Sequence, residues 1–444
     1  MKNIQRSIFL IIAISFLSCN PNVDPKQTEN NGKVEISNSE IRKYENVFSD
    51  LKAHLTKENG ELWNHQLYGP ILLVDEKNQL LIANEPDSNN VLIKNGKVFT
   101  GTLPKEMLVA ETTINWNGKL WTMVTLPLPK NHNEQLSIFT HELFHRIQSK
   151  IGFENLQQKP CNHLNTLNGR IFLKLELEAL KEALRADENN SQTKHLQNAV
   201  IFRLYRHQLF PGAKENENSL ELNEGIAEYT GTILSNWNDK ELKEHYIQEI
   251  DTLYTNTTFV RSFAYRTTPI YGYFIKQKNG NWNKEISNKT DLTKYVATQF
   301  NVTGSDNLEE TINEIKNEYN YQGINNFETE REEKQKELFS KLEAKFQINP
   351  ILTIPIVSMN ISFSPGDLIP FKDIGTVYKN IRITDKWGSL TAEDALVGKM
   401  WKKVVVSEPT EITDTIIKGN GWKLELNEDW KLVKISDNYT LKKK

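Results

Sequence analysis

The chain has 444 residues, which at roughly 150 residues per domain suggests two or three domains. Lysine and arginine number 54 against 57 acidic residues, so the net charge of −3 provides no field that would hold a polyanionic nucleic acid. With 38% hydrophobic residues and two cysteines, the composition is that of a globular protein and excludes a disulfide-built scaffold or a zinc ribbon.

The first twenty residues have the pattern of a secretory signal. Lys2 and Arg6 precede the apolar run Ile8 to Phe16, which is too short to span a bilayer as a helix. The segment Phe-Leu-Ser-Cys that ends at Cys19 resembles a bacterial lipobox in which Phe replaces the usual Leu. The resemblance implies that residues 1–18 are removed and that Cys19 is lipidated. A plain cleaved signal peptide is the alternative.

Residues 19–40 contain few apolar side chains and predict a flexible tether, because such a segment cannot bury a core. No later run of the sequence approaches about 18 apolar residues, so the lipid is the expected link to the membrane. The chain is therefore expected in the bacterial cell envelope, facing the periplasm or the surface. Asn20, directly after the cysteine, resembles a signal for the outer membrane.

Residues 41–130 are predicted to form the β-rich first part of the main domain. After a helical start, the sequence contains three pairs of strand-like runs, each pair separated by a polar turn. The turns are Asp75–Asn78, Asn95-Gly96 and Asn117-Gly118. Because Asn-Gly accepts the positive φ angles of a type I′ turn, the last pair is the strongest hairpin signal. The pattern predicts a layer of antiparallel sheet.

Residues 131–346 are predicted to be the helical part of the same domain, and they contain the clearest chemical motif. Asn133 to Gly152 has helical periodicity, with one apolar stripe. On another face His141 and His145 stand one turn apart, so that both imidazoles can reach one metal ion, and Glu142 lies beside them. This is the His-Glu-x-x-His zinc motif.

A catalytic zinc site needs a third protein ligand. An extension with a glycine and a third histidine on the same segment is excluded, because Gln148 and Ile151 occupy those two places. Cys161 or His163 could come from the loop after the helix, although no flanking pattern supports either. The remaining source is a glutamate on a second helix.

The segment Glu-Leu-Asn-Glu-Gly-Ile-Ala-Glu-Tyr, which begins at residue 221, provides such a helix, with Glu224 and Glu228 one turn apart. His-Glu-x-x-His followed by Asn-Glu-Gly-x-Ala-Glu-Tyr resembles the gluzincin metallopeptidases, the clan of thermolysin-like and zinc aminopeptidase enzymes. The resemblance implies a Zn²⁺ cofactor bound by His141, His145 and Glu224. It implies that Glu142 is the general base for a metal-activated water that hydrolyses a peptide or protein substrate. Glu228 would orient a zinc-bound imidazole.

Two features depart from that family pattern. The distance from His145 to Glu224 is 79 positions, which requires an insertion, and the sequence predicts two helices in it. The Gly-x-Met-Glu-Asn signature of exopeptidases does not precede the motif, so the resemblance gives no support for amino-terminal trimming. The charged residues of the inserted helices are expected on solvated faces or in ion pairs between helices, with substrate contact as the alternative. They are Glu176, Glu178, Arg203 and Arg206.

A tetrahedral oxyanion needs a donor besides the metal. Tyr271 is the first candidate and Tyr265 the second, because they lie in an aromatic segment after the Glu224 helix. Core packing is the alternative for both tyrosines. The resemblance also implies that the strand Trp121 to Leu126 forms the edge of the cleft, where an extended peptide could add to the sheet. Ordinary sheet packing is the alternative for that strand.

Residues 347–444 alternate apolar and polar side chains between turn-like breaks and predict a C-terminal all-β domain, such as a sandwich. Trp401, Trp422 and Trp430 are expected in its core, with glycan or partner binding as the alternative. The expected fold class is α+β, with a zincin-like catalytic region of antiparallel sheet and helices. Two functions remain open, a zinc metallopeptidase and a non-catalytic zincin-like envelope lipoprotein that acts in binding or structure.

Overall fold

The computed structural model describes residues 36–104, 107, 109–303, 307–363 and 368–444. The predicted signal, Cys19 and most of the predicted tether lie outside the described residues. The chain divides into two compact units, Met1–Asn325 and Asn326–Lys444. The fold class is α+β, with a helical region in the first unit and an all-β curled sheet in the second. None of the described helices is long and apolar enough to cross a membrane.

The first unit begins with helix α1, Asn38–Glu58. Ser37 caps it by accepting a hydrogen bond from the backbone N–H of Glu40, whose carboxylate bonds back to the cap in a capping box. The helix buries one face and ends at Asn59, which adopts the left-handed conformation. The apolar residues of that face are Tyr44, Phe48, Leu51 and Leu55.

A six-stranded sheet follows, with the strand order β3-β4-β2-β1-β6-β5. Its strands are β1 Ile71–Asp75, β2 Leu80–Ala83, β3 Ile93–Asn95, β4 Val98–Thr102, β5 Thr112–Trp116 and β6 Lys119–Thr125. The three predicted hairpins are present. The prediction of a purely antiparallel layer is wrong, because β1 and β6 are parallel. Strands β2, β4 and β3 extend the sheet on one side of β1, and the β5–β6 hairpin extends it on the other side.

The β5–β6 hairpin forms one margin of this sheet. At its turn Asn117 has φ of 45° and Gly118 has φ of 75°, as a type I′ turn requires. The strand at the margin is β5, whereas β6 pairs with β1 and β5 on its two sides. The expectation that Trp121 to Leu126 forms the cleft edge is therefore corrected. Trp121 is fully buried and belongs to an inner strand.

A helical region follows the sheet in the described part of the first unit. Its α-helices are α2 His132–Gln148, α3 Leu167–Arg185, α4 Asn189–Leu209, α5 Ala213–Leu220, α6 Ile226–Ile233, α7 Asp239–Leu253, α8 Ala264–Lys278, α9 Leu292–Gln299 and α10 Leu308–Ile315. The predicted apolar stripe of α2 is at most 2% exposed and packs in one continuous core with α1 and the sheet. That stripe is Leu136, Phe139, Leu143 and Ile147.

Helices α5 and α6 are joined without a loop by a π-turn, Glu221–Gly225. A π-turn has a wider hydrogen-bonding pattern than an α-helix and is often found at functional sites. Two glycines allow close packing here. A Cβ atom on Gly231 would lie 2.7 Å from the carbonyl oxygen of Ser137 on α2, and one on Gly225 would lie 2.3 Å from Thr268 Oγ1 on α8.

The second unit contains the C-terminal part of α11 (Tyr321–Glu343), a π-turn at Ala344–Ile348 and eleven described strands. The strands are β7 Ile351–Pro355, β8 Asn360–Ser362, β9 Leu368–Phe371, β10 Gly375–Asp385, β11 Gly388–Gly398, β12 Lys403–Ser407, β13 Pro409–Ile412, β14 Ile416–Gly419, β15 Trp422–Leu426, β16 Trp430–Ile435 and β17 Asn438–Lys443.

All eleven strands of the second unit belong to one hydrogen-bonded sheet, so the expectation of a two-sheet sandwich is corrected. The long strands β10 and β11 pair from Gly375↔Gly398 to Asp385↔Gly388, and β10 also pairs with β8 and β9. Of the three tryptophans expected in this core, Trp422 is 5% exposed and Trp430 is half-buried, whereas Trp401 is 36% exposed.

The crossing of α2 and α6 depends on the missing side chain at position 231. We expect Gly231→Ala to lower the free energy of unfolding by about 1–3 kcal/mol, because the added methyl group overlaps a backbone oxygen that cannot move away cheaply. Urea denaturation followed by circular dichroism measures the change. Gly280→Ala is the control, since no atom lies within 4 Å of its added Cβ. Equal effects of the two substitutions would contradict the packing argument.

Candidate metal centre

Three structural elements carry the predicted metal ligands and the residue expected to orient one of them. Helix α2 carries His141 and His145, which face the same way because they are one turn apart. Glu224 lies in the π-turn, and Glu228 lies one turn later in α6. The close crossing at Gly231 places these side chains opposite those of α2.

His141, His145 and Glu224 form the one group in the described part of the chain whose ligand atoms could hold a metal ion. The Nε2 atoms of the two histidines are 3.2 Å apart. Oε2 of Glu224 lies 3.6 Å from His145 Nε2 and 3.9 Å from His141 Nε2. Two ligand atoms about 2.0–2.1 Å from one ion at a tetrahedral angle are about 3.3 Å apart. The spacing of the group therefore fits a single small cation.

The second nitrogen of each imidazole has a hydrogen-bond partner. His141 Nδ1 lies 2.8 Å from Glu228 Oε2, and His145 Nδ1 lies 2.9 Å from Gln148 Oε1. Because these oxygens accept, each Nδ1 donates, which leaves each neutral imidazole with a lone pair on Nε2. Partners of this kind fix the tautomer and ring orientation of histidine ligands. The contact of Glu228 with an imidazole agrees with what the family resemblance implied.

Gln148 is a residue to which the sequence analysis assigned no role. Its amide oxygen accepts from His145, while its Nε2 donates to the carbonyl oxygens of Leu222 at 3.2 Å and Asn223 at 3.0 Å. One side chain thus joins α2 to the π-turn. The available signal was its place three residues after His145, on the same helical face.

Glu224 is surrounded by donors. Oε2 accepts from the Tyr265 hydroxyl at 2.6 Å, and Oε1 accepts from Asn223 Nδ2 at 2.9 Å and Arg261 Nη2 at 3.2 Å. Burial raises the pKa of this carboxyl, but His145, His141 and Tyr265 outweigh burial and hold the pKa well below its usual range. Glu224 is therefore an anion at neutral pH, as a ligand must be.

Glu142 is 6% exposed, and its Oε2 has no hydrogen-bond partner among the described residues. Its Oε1 lies 3.9 Å from His141 Nε2, so the carboxyl group faces the ligand atoms. Burial raises the pKa of Glu142 to about 7, against the opposing effect of His141 and His145. A buried carboxyl with an unpartnered oxygen beside a cation-sized site is suited to take up a proton.

The charge balance of the centre favours a cation. Burial opposes a positive charge on His141, but the carboxylates of Glu228, Glu142 and Glu224 outweigh burial and raise its pKa to about 9. Burial also opposes a charge on His145, and Glu224 raises its pKa. Three carboxylates around two imidazoles thus attract positive charge, which a divalent ion would supply in place of protons.

The two tyrosines considered for oxyanion binding lie in different environments. The Tyr265 ring is parallel to the His141 ring, with 5.8 Å between centroids, and its hydroxyl reaches Glu224. Tyr271 is 2% exposed, and its hydroxyl donates to Glu176 at 3.0 Å. The expectation for Tyr271 is therefore corrected, because its hydroxyl is buried in a different cluster and bonds to none of the candidate ligands.

The alternative third ligands lie elsewhere. Cys161 is fully buried, and burial raises the pKa of its thiol, which disfavours the thiolate that binds metals. His163 Nε2 lies 2.6 Å from Glu217 Oε1. Neither residue joins the group of candidate ligands in the described structure.

We expect Gln148→Leu to weaken the binding of a metal ion at this group, with added Zn²⁺ as the probe ion, by roughly 10–100-fold, because loss of the amide frees the His145 ring and releases the π-turn from α2. Competition with a fluorescent zinc chelator measures the affinity. Gln135→Leu is a matched control on the same helix, since the side chain of Gln135 bonds only to the Pro129 carbonyl oxygen among the hydrogen bonds of the described structure. Unchanged zinc affinity in Gln148→Leu would contradict the orienting role.

Comparison with known proteins adds no family assignment. The chain matches no protein-family model, no curated protein and no solved structure.

Proposed function

We propose that the protein is a zinc-dependent metallopeptidase of the gluzincin type. The observation that carries the proposal is the grouping of His141, His145 and Glu224 around a cation-sized space, with the unpartnered Oε2 of Glu142 buried beside it. A purely structural metal site has no use for an additional buried carboxyl, whereas hydrolysis needs a base at that place.

The ligand set supports zinc as the cofactor. Two imidazoles and one carboxylate form a common three-ligand set of catalytic zinc, which leaves a fourth position for water or substrate. A calcium or magnesium site would be built from oxygen ligands, which two histidines do not provide. The second nitrogen of each histidine is also held by an acceptor, as zinc-binding histidines require.

The chemistry assigned to the chain follows from the positions of its side chains. Bound zinc would supply Lewis acidity and a water of lowered pKa. Glu142 accepts a proton from the attacking water and passes it to the leaving amine. Tyr265, whose hydroxyl donates to Glu224, would redirect that hydrogen bond to a developing oxyanion. Together these groups would hydrolyse a peptide bond.

The six-stranded sheet supports an extended peptide as substrate. Strand β5 pairs with β6 alone among the described strands, so its other edge has backbone donors and acceptors available for a peptide. Glu111 directly precedes β5 and lies close enough to Glu142 to raise its pKa. The unpaired edge of β5 and the proposed base Glu142 therefore lie in the same region of the first unit.

We further propose that the protein is a lipoprotein of the bacterial cell envelope. The support is the cationic start, the short apolar run and the lipobox-like segment ending at Cys19. Mass spectrometry of the mature N-terminus tests this proposal. A diacylglyceryl group on Cys19 supports it, and an unmodified N-terminus at another residue contradicts it.

The central test uses the base. We expect wild-type protein to bind one zinc ion per chain and to cleave members of a peptide library. Glu142→Gln should bind zinc equally and lose roughly 10²–10⁴-fold in kcat, because the amide cannot accept the proton. His141→Ala should lose both zinc and activity. Metal analysis and mass-spectrometric cleavage mapping provide the measurements. Zinc binding with no cleavage by wild-type protein would favour the non-catalytic alternative.

Tyr265→Phe tests the proposed oxyanion donor. We expect the substitution to lower kcat by roughly 10²-fold while KM changes little, since the interaction forms only in the transition state. Tyr271→Phe is the control, because it removes a hydroxyl that bonds to Glu176 instead. Equal turnover by Tyr265→Phe and wild-type protein would refute the role of Tyr265.

A further inference from the structure

A buried cluster of charged side chains lies next to the candidate metal centre and takes no part in the proposed hydrolysis. It contains three carboxylates and two guanidinium groups, each at most 1% exposed: Glu176, Arg203, Arg206, Glu217 and Glu221. Desolvation offsets much of the attraction between buried charges, so such clusters are weak sources of stability. A role other than stability would explain why the fold buries five charged side chains at this place.

Glu221 connects this cluster to the metal centre. It opens the π-turn that also carries Glu224, and its backbone carbonyl accepts from the N–H of Ile226. Arg203 holds its carboxylate with two bonds, Nη2 to Oε1 at 2.8 Å and Nη1 to Oε2 at 3.0 Å. A bidentate pair of this kind fixes orientation as well as charge.

Glu221 is also bonded to α8, the helix that carries Tyr265. Its Oε1 accepts from Thr267 Oγ1 at 2.7 Å and from Thr268 Oγ1 at 3.1 Å. Gly225 allows α8 to come this close, since a Cβ there would overlap Thr268. One carboxylate therefore joins α4, the π-turn and α8.

The rest of the cluster holds Arg203 in place. Glu176 on α3 accepts from Arg203 Nε at 2.8 Å and from Arg206 Nη1 at 2.7 Å. Glu217 in turn accepts two bonds from Arg206, at 2.8 Å and 2.7 Å. Each guanidinium is thus fixed from two sides, which restricts where Arg203 can place the carboxylate of Glu221.

We infer that the Arg203–Glu221 pair sets the position of Glu224 and thereby the affinity and geometry of the metal centre. The inference rests on the proposed function. A π-turn contains one more residue than a turn of α-helix. If the backbone here changed to the α-helical hydrogen-bonding pattern, Glu224 would rotate by about 100° around the helix axis relative to the residues before it. Arg203 and Glu221 are positioning residues that act through the turn. The inserted helices α3 and α4 then serve as a support for one metal ligand.

Two matched pairs of variants test the inference. Thr267→Val removes one hydrogen bond to Glu221, and Tyr271→Phe removes one to Glu176. Arg203→Lys removes the bidentate grip on Glu221, and Arg206→Lys makes the same change where Glu221 is not contacted. Zinc affinity is measured by chelator competition at a temperature where circular dichroism shows each variant folded. Cobalt substitution reports the ligand geometry through the absorption spectrum.

We expect Thr267→Val and Arg203→Lys to weaken zinc binding by roughly 10-fold and to change the cobalt spectrum. Tyr271→Phe and Arg206→Lys reach Glu221 only through Glu176 and Arg203, so each should weaken zinc binding much less than its paired variant does, even where the melting temperatures fall equally. An equal effect within each pair, or none, overturns the inference while leaving the proposed function intact. Failure of wild-type protein to bind zinc overturns both. If the arginine variants do not fold, the comparison of Thr267→Val with Tyr271→Phe tests the inference by itself.

Discussion

The structure of the first unit depends on the close crossing of α2 and α6, where a glycine backbone lies against the turn that carries the first histidine. At this crossing two imidazoles of α2 meet the carboxylates of Glu224 in the π-turn and Glu228 on α6, and burial of either set without the other would be costly. The six-stranded sheet and the outer helices cover this pair. Sheet, helices and site therefore pack together, and the two histidines and the glutamates that contact them are buried or half-buried with hydrogen bonds or opposite charges, whereas Glu142 Oε2 is buried without a hydrogen-bond partner among the described residues.

Local periodicity was sufficient to predict much of this architecture. The hairpins at Asn95-Gly96 and Asn117-Gly118, the apolar stripe of α2 and the all-β second unit follow from turn chemistry and side-chain alternation. The parallel pairing of β1 with β6 could not be predicted, because strand order depends on contacts between segments far apart in the chain. The same reason accounts for the wrong strand at the sheet margin and for the single curled sheet in place of a sandwich.

For the candidate site, helical spacing paired His141 with His145 and Glu224 with Glu228, and the resemblance to the gluzincins joined the two pairs, which the structure places within reach of one another. The position of Gln148 one turn after His145 was the only signal for its role, and the sequence carried none for the hydrogen bond of Tyr271, since both roles depend on which polar groups the side chain meets. The amide of Gln148 meets two carbonyls of the π-turn, and the hydroxyl of Tyr271 meets Glu176 in a separate cluster. An aromatic segment in the sequence contains no information on which hydroxyl will face which carboxylate.

The long interval between the two motif helices has a consequence for the polymer physics of the chain. A metal ion bound by His145 and Glu224 would join positions 79 residues apart and would act as a reversible cross-link that closes a large loop. Closing such a loop removes conformational freedom from the unfolded chain, and the associated gain in stability grows slowly with loop length. Metal capture would then report on folding as well as on chemistry, because an ion that holds both ends can bind tightly only after α3 and α4 have folded between them.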